Sequence, residues 1–260
     1  GYDLVAMVAD DLSAAGAMPL AMQDYIAVGY LDLDRVEVLV ESITDACADN
    51  DVALLGGETA EHPGIIDGDR FDIAATALGV VELGDEVENN RIDVGDVIIG
   101  VHSPNLRTSG FSLVRALIVD QLDLDAAFPG SDRSFAEVLL DPSVVYAPSV
   151  VNALARAEPH GLAHVKDGGL PVSVSKILPE GAAAAIERSL WEVPEVFQVL
   201  QNLSSISDDE MFSMFNMGIG FVAIAPEGDA DRLIKGFNSY DQGATVIGRV
   251  VEGDRTVKIV

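Results

Sequence analysis

The run Gly56-Gly57-Glu58-Thr59-Ala60-Glu61-His62-Pro63-Gly64 concentrates reactive residue types in one short stretch. Two glycines leave the backbone bare, so a ligand can approach without meeting a Cβ. Two carboxylates and a hydroxyl follow directly. Oxygen donors of this kind suit Mg²⁺, a hard cation that bridges to phosphates, and make the run a candidate site for an anionic ligand held through a metal. A solvated acidic loop is the plainer reading, and on this stretch alone both stand. The apolar run Val52-Ala53-Leu54-Leu55 just before it predicts a buried strand that gives way to a loop at the glycines.

Asp10 and Asp11 close an apolar segment, Leu4 to Ala9, that predicts a helix ending near Gly16. Two adjacent carboxylates there are costly to bury unpaired, so they face water or a cation. Farther on, Arg107-Thr108-Ser109-Gly110 precedes a predicted helix from Phe111 to about Leu122. Side chains and backbone amides at a helix start can grip an anion. Capping by Ser109 accounts for the same residues. Lys166-Asp167-Gly168-Gly169 leads into a helix ending near Leu178, a second loop of this kind.

These residues need elements to carry them. Leu20 to Val28 reads as a strand, and Asp34 to Ala48 as the clearest helix, with Val36, Leu39, Val40, Ile43 and Cys47 on one stripe. Asp34 and Glu37 form its expected capping pair. Asp67-Gly68 marks a turn before a long strand, Phe71 to Val81. The composition turns polar between Glu82 and Gly95, which places a boundary between an N-terminal domain, 1–85, and a C-terminal one, 86–260. The first half then reads helix, strand, helix, strand, strand, and needs more chain before Gly1 to complete its sheet.

In the second half, strands are expected at Val97–Val101, Leu162–Val165, Ile219–Ala225, Val246–Val251 and Val257–Val260. Helices are expected at Pro148–Ala157, Glu195–Leu203 behind Pro194, and Asp229–Phe237. This alternation predicts a layered α/β domain. Met211, Met214 and Met217 read as core filling.

Forty-three acidic residues against 15 basic ones give a formal charge of −28. Such a surface repels nucleic acid and anionic membranes. The acid excess, with Lys only at 166, 176, 235 and 258, suits a protein kept in concentrated salt, where screening relieves self-repulsion. No run approaches the roughly 18 apolar residues of a membrane span, and no basic-then-apolar leader is present. A soluble, cytoplasmic protein is expected. The single cysteine, Cys47, excludes an internal disulfide and reads as a small core residue.

Several motifs fail. No Gly-x-x-x-x-Gly-Lys-[Ser/Thr] loop exists. Gly218-Ile219-Gly220 leads into a strand rather than a helix, the reverse of a dinucleotide fingerprint. His62, His102, His160 and His164 lack metal-ligand spacing.

The order of motifs resembles the aminoimidazole ribonucleotide synthetase (phosphoribosylformylglycinamidine cyclo-ligase) family of purine biosynthesis. The likeness rests on Gly1 to Leu12, on Gly16 to Tyr25 with Pro19 and Asp24, and on Gly56 to Glu61 followed by Pro63-Gly64. It continues through Ser109 to Arg115, Trp191 to Phe197, Glu210-Met211 and Phe215 to Gly220. The matches keep the family's order and spacing along nearly the whole chain, which makes them far more specific than any single motif.

The resemblance implies an α+β/α/β enzyme of two domains. The N-terminal sheet domains of a homodimer would pair into a shared barrel, and each C-terminal domain would be a layered α/β unit. It implies ATP and Mg²⁺ as cofactors and a small ribonucleotide as substrate. ATP would phosphorylate the formyl-amide oxygen of formylglycinamidine ribonucleotide; the amidine nitrogen would then close the imidazole ring and expel phosphate. Asp10, Asp11, Gly56, Gly57, Glu58 and Thr59 would form the nucleotide site, with Asp11 and Glu58 as metal ligands. Ser109, Gly110, Gly168, Gly169 and Asn216 would face the ribonucleotide, with Arg107 at the catalytic position.

The chain departs from the family pattern at identifiable places. Asp10 stands where the family usually has Asn. The loop before Phe111 normally reads His-Ser-Asn-Gly, and here it is Arg107-Thr108-Ser109-Gly110. An arginine does not deprotonate in proteins, so position 107 supplies charge rather than a base. Lys166-Asp167-Gly168-Gly169 replaces Thr-Gly-Gly-Gly. The family's glycine-rich, lysine-bearing N-terminal nucleotide loop has no counterpart after Gly1. The substitutions at Arg107 and Lys166-Asp167 suit a catalytically silent, dimeric scaffold as the alternative to a cyclo-ligase. Another ATP-using member of the same superfamily also fits the fold, although Glu58-Thr59-Ala60-Glu61 argues against it.

Overall fold

Leu4, Val5, Ala6 and Ala9 fall on one side of the first helix, α1 (Tyr2–Ala14), and are buried there. A second helix, α2 (Leu33–Asp49), buries Ile43, Ala46 and Cys47. The computed structural model describes residues 1–240 and 242–260, and the side chains of all of these except Val119 and Asp120. Both helices cover one face of a sheet ordered β2-β1-β3: β1 (Met18–Val28) runs parallel to β2 (Ala53–Glu61) and antiparallel to β3 (Phe71–Val80). Met22, Ile26 and Val28 face the helices with Ile73, Ala75 and Ala77, following the two-residue period of a strand. Among the described residues, no element of this unit covers the opposite face, which carries exposed Tyr25, Leu78 and Val80.

Two expectations are corrected here. Gly56 to Glu61 is not a loop after a short strand: it continues β2, an edge strand held to β1 by a ladder that shifts register at Met22/Gln23. And α2 is capped by Asp32, whose carboxylate accepts from the backbone of Asp34 and Arg35, rather than by Asp34 with Glu37.

The remaining residues form a mixed six-stranded sheet ordered β5-β7-β4-β8-β6-β9. Its strands are β4 (Val97–His102), β5 (Gly161–His164), β6 (Ala182–Ile186), β7 (Ile219–Ala225), β8 (Ala244–Glu252) and β9 (Val257–Ile259). All neighbours are antiparallel except β6 and β9. The helices of this part of the chain are α3 (Phe111–Asp120), α4 (Phe135–Leu139), α6 (Gly169–Ile177), α7 (Glu195–Ser204), α8 (Asp208–Met214) and α9 (Glu227–Phe237), and the segment between α4 and β5 carries α5 (Ala147–Leu154). β4 and β7 are buried along almost their whole length, as central strands with both faces covered should be. By its contacts the chain divides into Gly1–Glu86 with Val144–Val151, and Val87–Ser143 with Asn152–Val260.

β6 escapes the sequence reading. Ala182 to Ala185 is an alanine run, the best helix-former, yet pairing with β8 and β9 holds it extended. The helices α4 and α8 were also not anticipated; capping boxes at Ser134/Glu137 and Ser207/Glu210 start them. Of the three methionines read as core filling, Met211 and Met217 are buried, whereas Met214 is exposed.

Candidate functional site

In the first unit the residues of interest are spread over both faces of the small sheet. Asp24 points to the helix side, in line with Met22 and Ile26. Its carboxylate fills the space beside Gly57: a Cβ at Gly57 would lie 1.3 Å from Asp24 Oδ1. Burial pushes the Asp24 pKa above the ordinary carboxylate value, and the Asp24 charge helps raise that of the neighbouring Cys47 thiol, itself lifted chiefly by burial. Sequence reading passed over Asp24 as a site residue. The available signal was a carboxylate at an inward position of an alternating strand.

Glu58 pairs with Tyr25 in the ladder and so projects from the uncovered face, where the Tyr25 hydroxyl lies 2.8 Å from His62 Nε2. Thr59, opposite Ile26, turns back to the helix side. Gly56 has a φ of +141° and open space where a Cβ would stand. Glu61 is occupied by the chain itself, accepting from the Leu31 amide at 2.8 Å.

Asp11 is exposed on α1, in the helix layer. The helix α1 packs on the sheet face opposite the one from which Glu58 projects. Among the described residues there is no cluster of three or more His, Cys, Asp or Glu side chains arranged to hold a metal.

Asp10 has a different task from the expected one. It is fully buried, and its Oδ1 accepts the backbone N–H groups of Tyr146 (2.7 Å), just before α5, and Ala147 (2.9 Å), its first residue. Orphan amides at a helix start are what a carboxylate satisfies best. The cost of burying this acid is met by those amides, with no nucleotide required.

In the second unit, three loops converge. Gly110 is the N-cap of α3 with φ +81°, and a Cβ there would sit 2.0 Å from the Phe215 ring. Gly169, at φ +64°, lies against α8: a Cβ would be 1.9 Å from the Phe212 carbonyl and 2.9 Å from that of Phe215. Gly168 is the left-handed N-cap of α6. Both glycine loops thus close on the Phe212–Phe215 segment, at positions where any side chain would collide or strain the backbone. Capping of α3 by the Ser109 side chain, the plainer expectation, does not occur.

Behind these loops lies a buried polar layer. Asn216 Nδ2 donates to the carbonyls of Asn105 (2.9 Å) and Leu106 (3.2 Å), and its Oδ1 accepts from Gly218 N (2.8 Å). Asn105 Nδ2 donates to the Pro142 carbonyl (2.7 Å), and its Oδ1 accepts from Arg107 N (3.2 Å). Arg107 itself is buried at a φ of +57°, with Nη1 donating to the Gly220 carbonyl at 3.2 Å. Its guanidinium is turned into the protein, against the start of β7. That replaces the expected picture of a charge held out toward substrate. Asn105 was not anticipated, and nothing in its sequence context distinguishes it from an ordinary turn asparagine.

Comparison with known proteins supplies the context. Residues 1–81 match the family described as AIR synthase related protein, N-terminal domain, and residues 93–260 match its C-terminal domain. A phosphoribosylformylglycinamidine cyclo-ligase from Geotalea daltonii is 37% identical over 262 residues, covering 100% of this chain and 75% of its own length. One of the same description from Bacillus subtilis is 39% identical over 256 residues, covering 98% and 74%. Among solved structures, a hydrogenase maturation protein HypE superposes with a TM-score of 0.77 at 18% identity, covering 99% of this chain and 78% of HypE. A thiamine-monophosphate kinase from Stenotrophomonas maltophilia gives 0.72 at 21%, covering 99% and 78%. One HypE structure of this group, TM-score 0.75, is a complex with ATP. At these identities the structural likeness speaks for the fold.

Proposed function

Because this chain belongs to the AIR synthase related family, we propose that it catalyses ATP-dependent ring closure of formylglycinamidine ribonucleotide to aminoimidazole ribonucleotide. The observation that carries this reading is identity of 37–39% with proteins described as cyclo-ligases across both halves of the chain. An amide oxygen is a poor leaving group until it carries phosphate. The formyl oxygen attacks the γ-phosphorus of ATP and ADP departs; the amidine nitrogen then adds to the activated carbon, and inorganic phosphate leaves with the original oxygen. Such a reaction asks for positioning and charge neutralisation more than for a side-chain base. No side-chain base is therefore required of position 107.

The residues divide by what the geometry lets them do. The bare backbone at Gly56-Gly57, with Glu58 and Thr59 along the edge of β2, is assigned to the nucleotide, together with Asp11 and the half-buried Asp24. Mg²⁺ would neutralise phosphate charge. Asp11 and Glu58 are the carboxylates assigned to hold it. Asp10 and Arg107 are assigned to holding the scaffold. The backbone at Ser109-Gly110 and Gly168-Gly169 is assigned to the ribonucleotide, since both are helix-start loops.

The uncovered sheet face is the basis for proposing a homodimer. Leu78 is 64% and Val80 50% exposed on that face, and a second copy laid against it would bury them. Among the described residues no helix is long and apolar enough to cross a membrane. The test is ADP release that requires formylglycinamidine ribonucleotide. Release at equal rates with and without the ribonucleotide would contradict the reading.

A further inference from the structure

Asn216 lies next to the proposed ribonucleotide loop, but its amide is already spent. Both Nδ2 hydrogens go to backbone carbonyls of that loop, Asn105 and Leu106, and Oδ1 takes the Gly218 amide. A primary amide offers two donors and one carbonyl, so little is left for a ligand. Asn105 repeats the arrangement from the other side, tying the loop to Pro142 through Nδ2 and to Arg107 N through Oδ1. The Asn105 carbonyl also receives the Ser103 hydroxyl at 3.0 Å. Both asparagines are buried, at 3% and 6% exposure.

What these bonds hold is backbone that would not hold itself. Arg107 is a non-glycine residue at φ +57°, and Gly110 follows at +81°. Left-handed conformations of ordinary residues persist only where the surroundings fix them, and they cluster at ligand sites. A loop released from the two amides would relax at Arg107 and move the Ser109-Gly110 amides.

We infer that Asn216 and Asn105 are positioning residues that together lock the 105–110 loop in the conformation that receives the ribonucleotide, acting through the backbone and not by touching substrate. This rests on the assignment of that loop under the proposed function.

The test is Asn216→Ser, which shortens the side chain and removes both loop bonds. Displacement of a substrate-positioning loop by even 1 Å is worth up to about 100-fold. The KM for formylglycinamidine ribonucleotide should rise at least about tenfold, while the KM for ATP stays within about twofold. Ile98→Val, in the core of β4 away from the loop, controls for lost stability and should move neither constant. An unchanged ribonucleotide KM, or equal rises in both, overturns the inference. Amide hydrogen exchange over 105–110 separates its failure from failure of the functional reading. Faster exchange in Asn216→Ser supports the lock even if the wild-type protein turns over no ribonucleotide, and unchanged exchange overturns it. If Asn216→Ser does not fold, Asn105→Ser puts the same question.

Discussion

Asp10 Oδ1 accepts the Tyr146 amide at 2.7 Å, across 136 residues of sequence. The same oxygen takes Ala147 N, so one carboxylate fixes the start of α5. Removing it leaves buried amides unpaired, which costs about 1–3 kcal/mol. Asp10→Ala should lose that much stability in urea denaturation, and Asp10→Asn, which keeps an acceptor oxygen, distinctly less. Both should bind ATP like the wild type. A large loss of ATP affinity in Asp10→Asn with stability unchanged would return Asp10 to the nucleotide site.

Gly57 and Asp24 make a second test. A Cβ at Gly57 would meet Asp24 Oδ1 at 1.3 Å, so Gly57→Ala must push the carboxylate aside. The expected cost is about 1–3 kcal/mol. In an Asp24→Ala background the obstacle is gone and most of that cost should vanish, a coupling measurable by a double-mutant cycle. Equal costs in the two backgrounds would show that Gly57 is constrained by something else.

Acid sensitivity follows from His102. Burial holds its pKa below the ordinary 6.5. The unfolded chain therefore takes up the proton first as pH falls. The His102 contribution to stability is complete above about pH 6.5 and is lost as pH drops toward the folded value. The melting temperature should fall between neutral and mildly acidic pH, and less so in His102→Gln. An identical slope in the variant would exclude His102 as the source.

Charge gives a fourth expectation. At −28 the folded chain repels itself, and raising salt from about 0.1 M to 1 M shrinks the screening length from about 10 Å to about 3 Å. The melting temperature should climb over that range in potassium chloride. A flat response would remove the case for a salt-adapted protein.

The fold was more legible than the site. Apolar periodicity exposed α1, α2, β3, β4 and β7 because each buries one face or is buried on both. β6 was hidden because alanine carries no strand signal and its neighbours decide. Gly56 and Gly57 looked like a loop because glycine punctuates sequence, whereas here it lets an edge strand shift register and make room for Asp24. Asp10, Arg107 and Asn216 stand out in the sequence because they fall in or beside the motifs that carry the family resemblance. Their partners, however, are backbone groups up to 137 residues away, and no local pattern announces a carbonyl or an amide. Family resemblance singles out loops; the three-dimensional arrangement distinguishes groups that hold a loop from groups left open to a ligand.

The central claim is that phosphate leaves with the substrate's own amide oxygen. Formylglycinamidine ribonucleotide carrying ¹⁸O in its formyl group, incubated with the protein and ATP, follows that atom directly. The account predicts one labelled oxygen in each inorganic phosphate released, in step with aminoimidazole ribonucleotide formed. Unlabelled phosphate, with the heavy oxygen recovered in water or retained in the ribonucleotide, would contradict it.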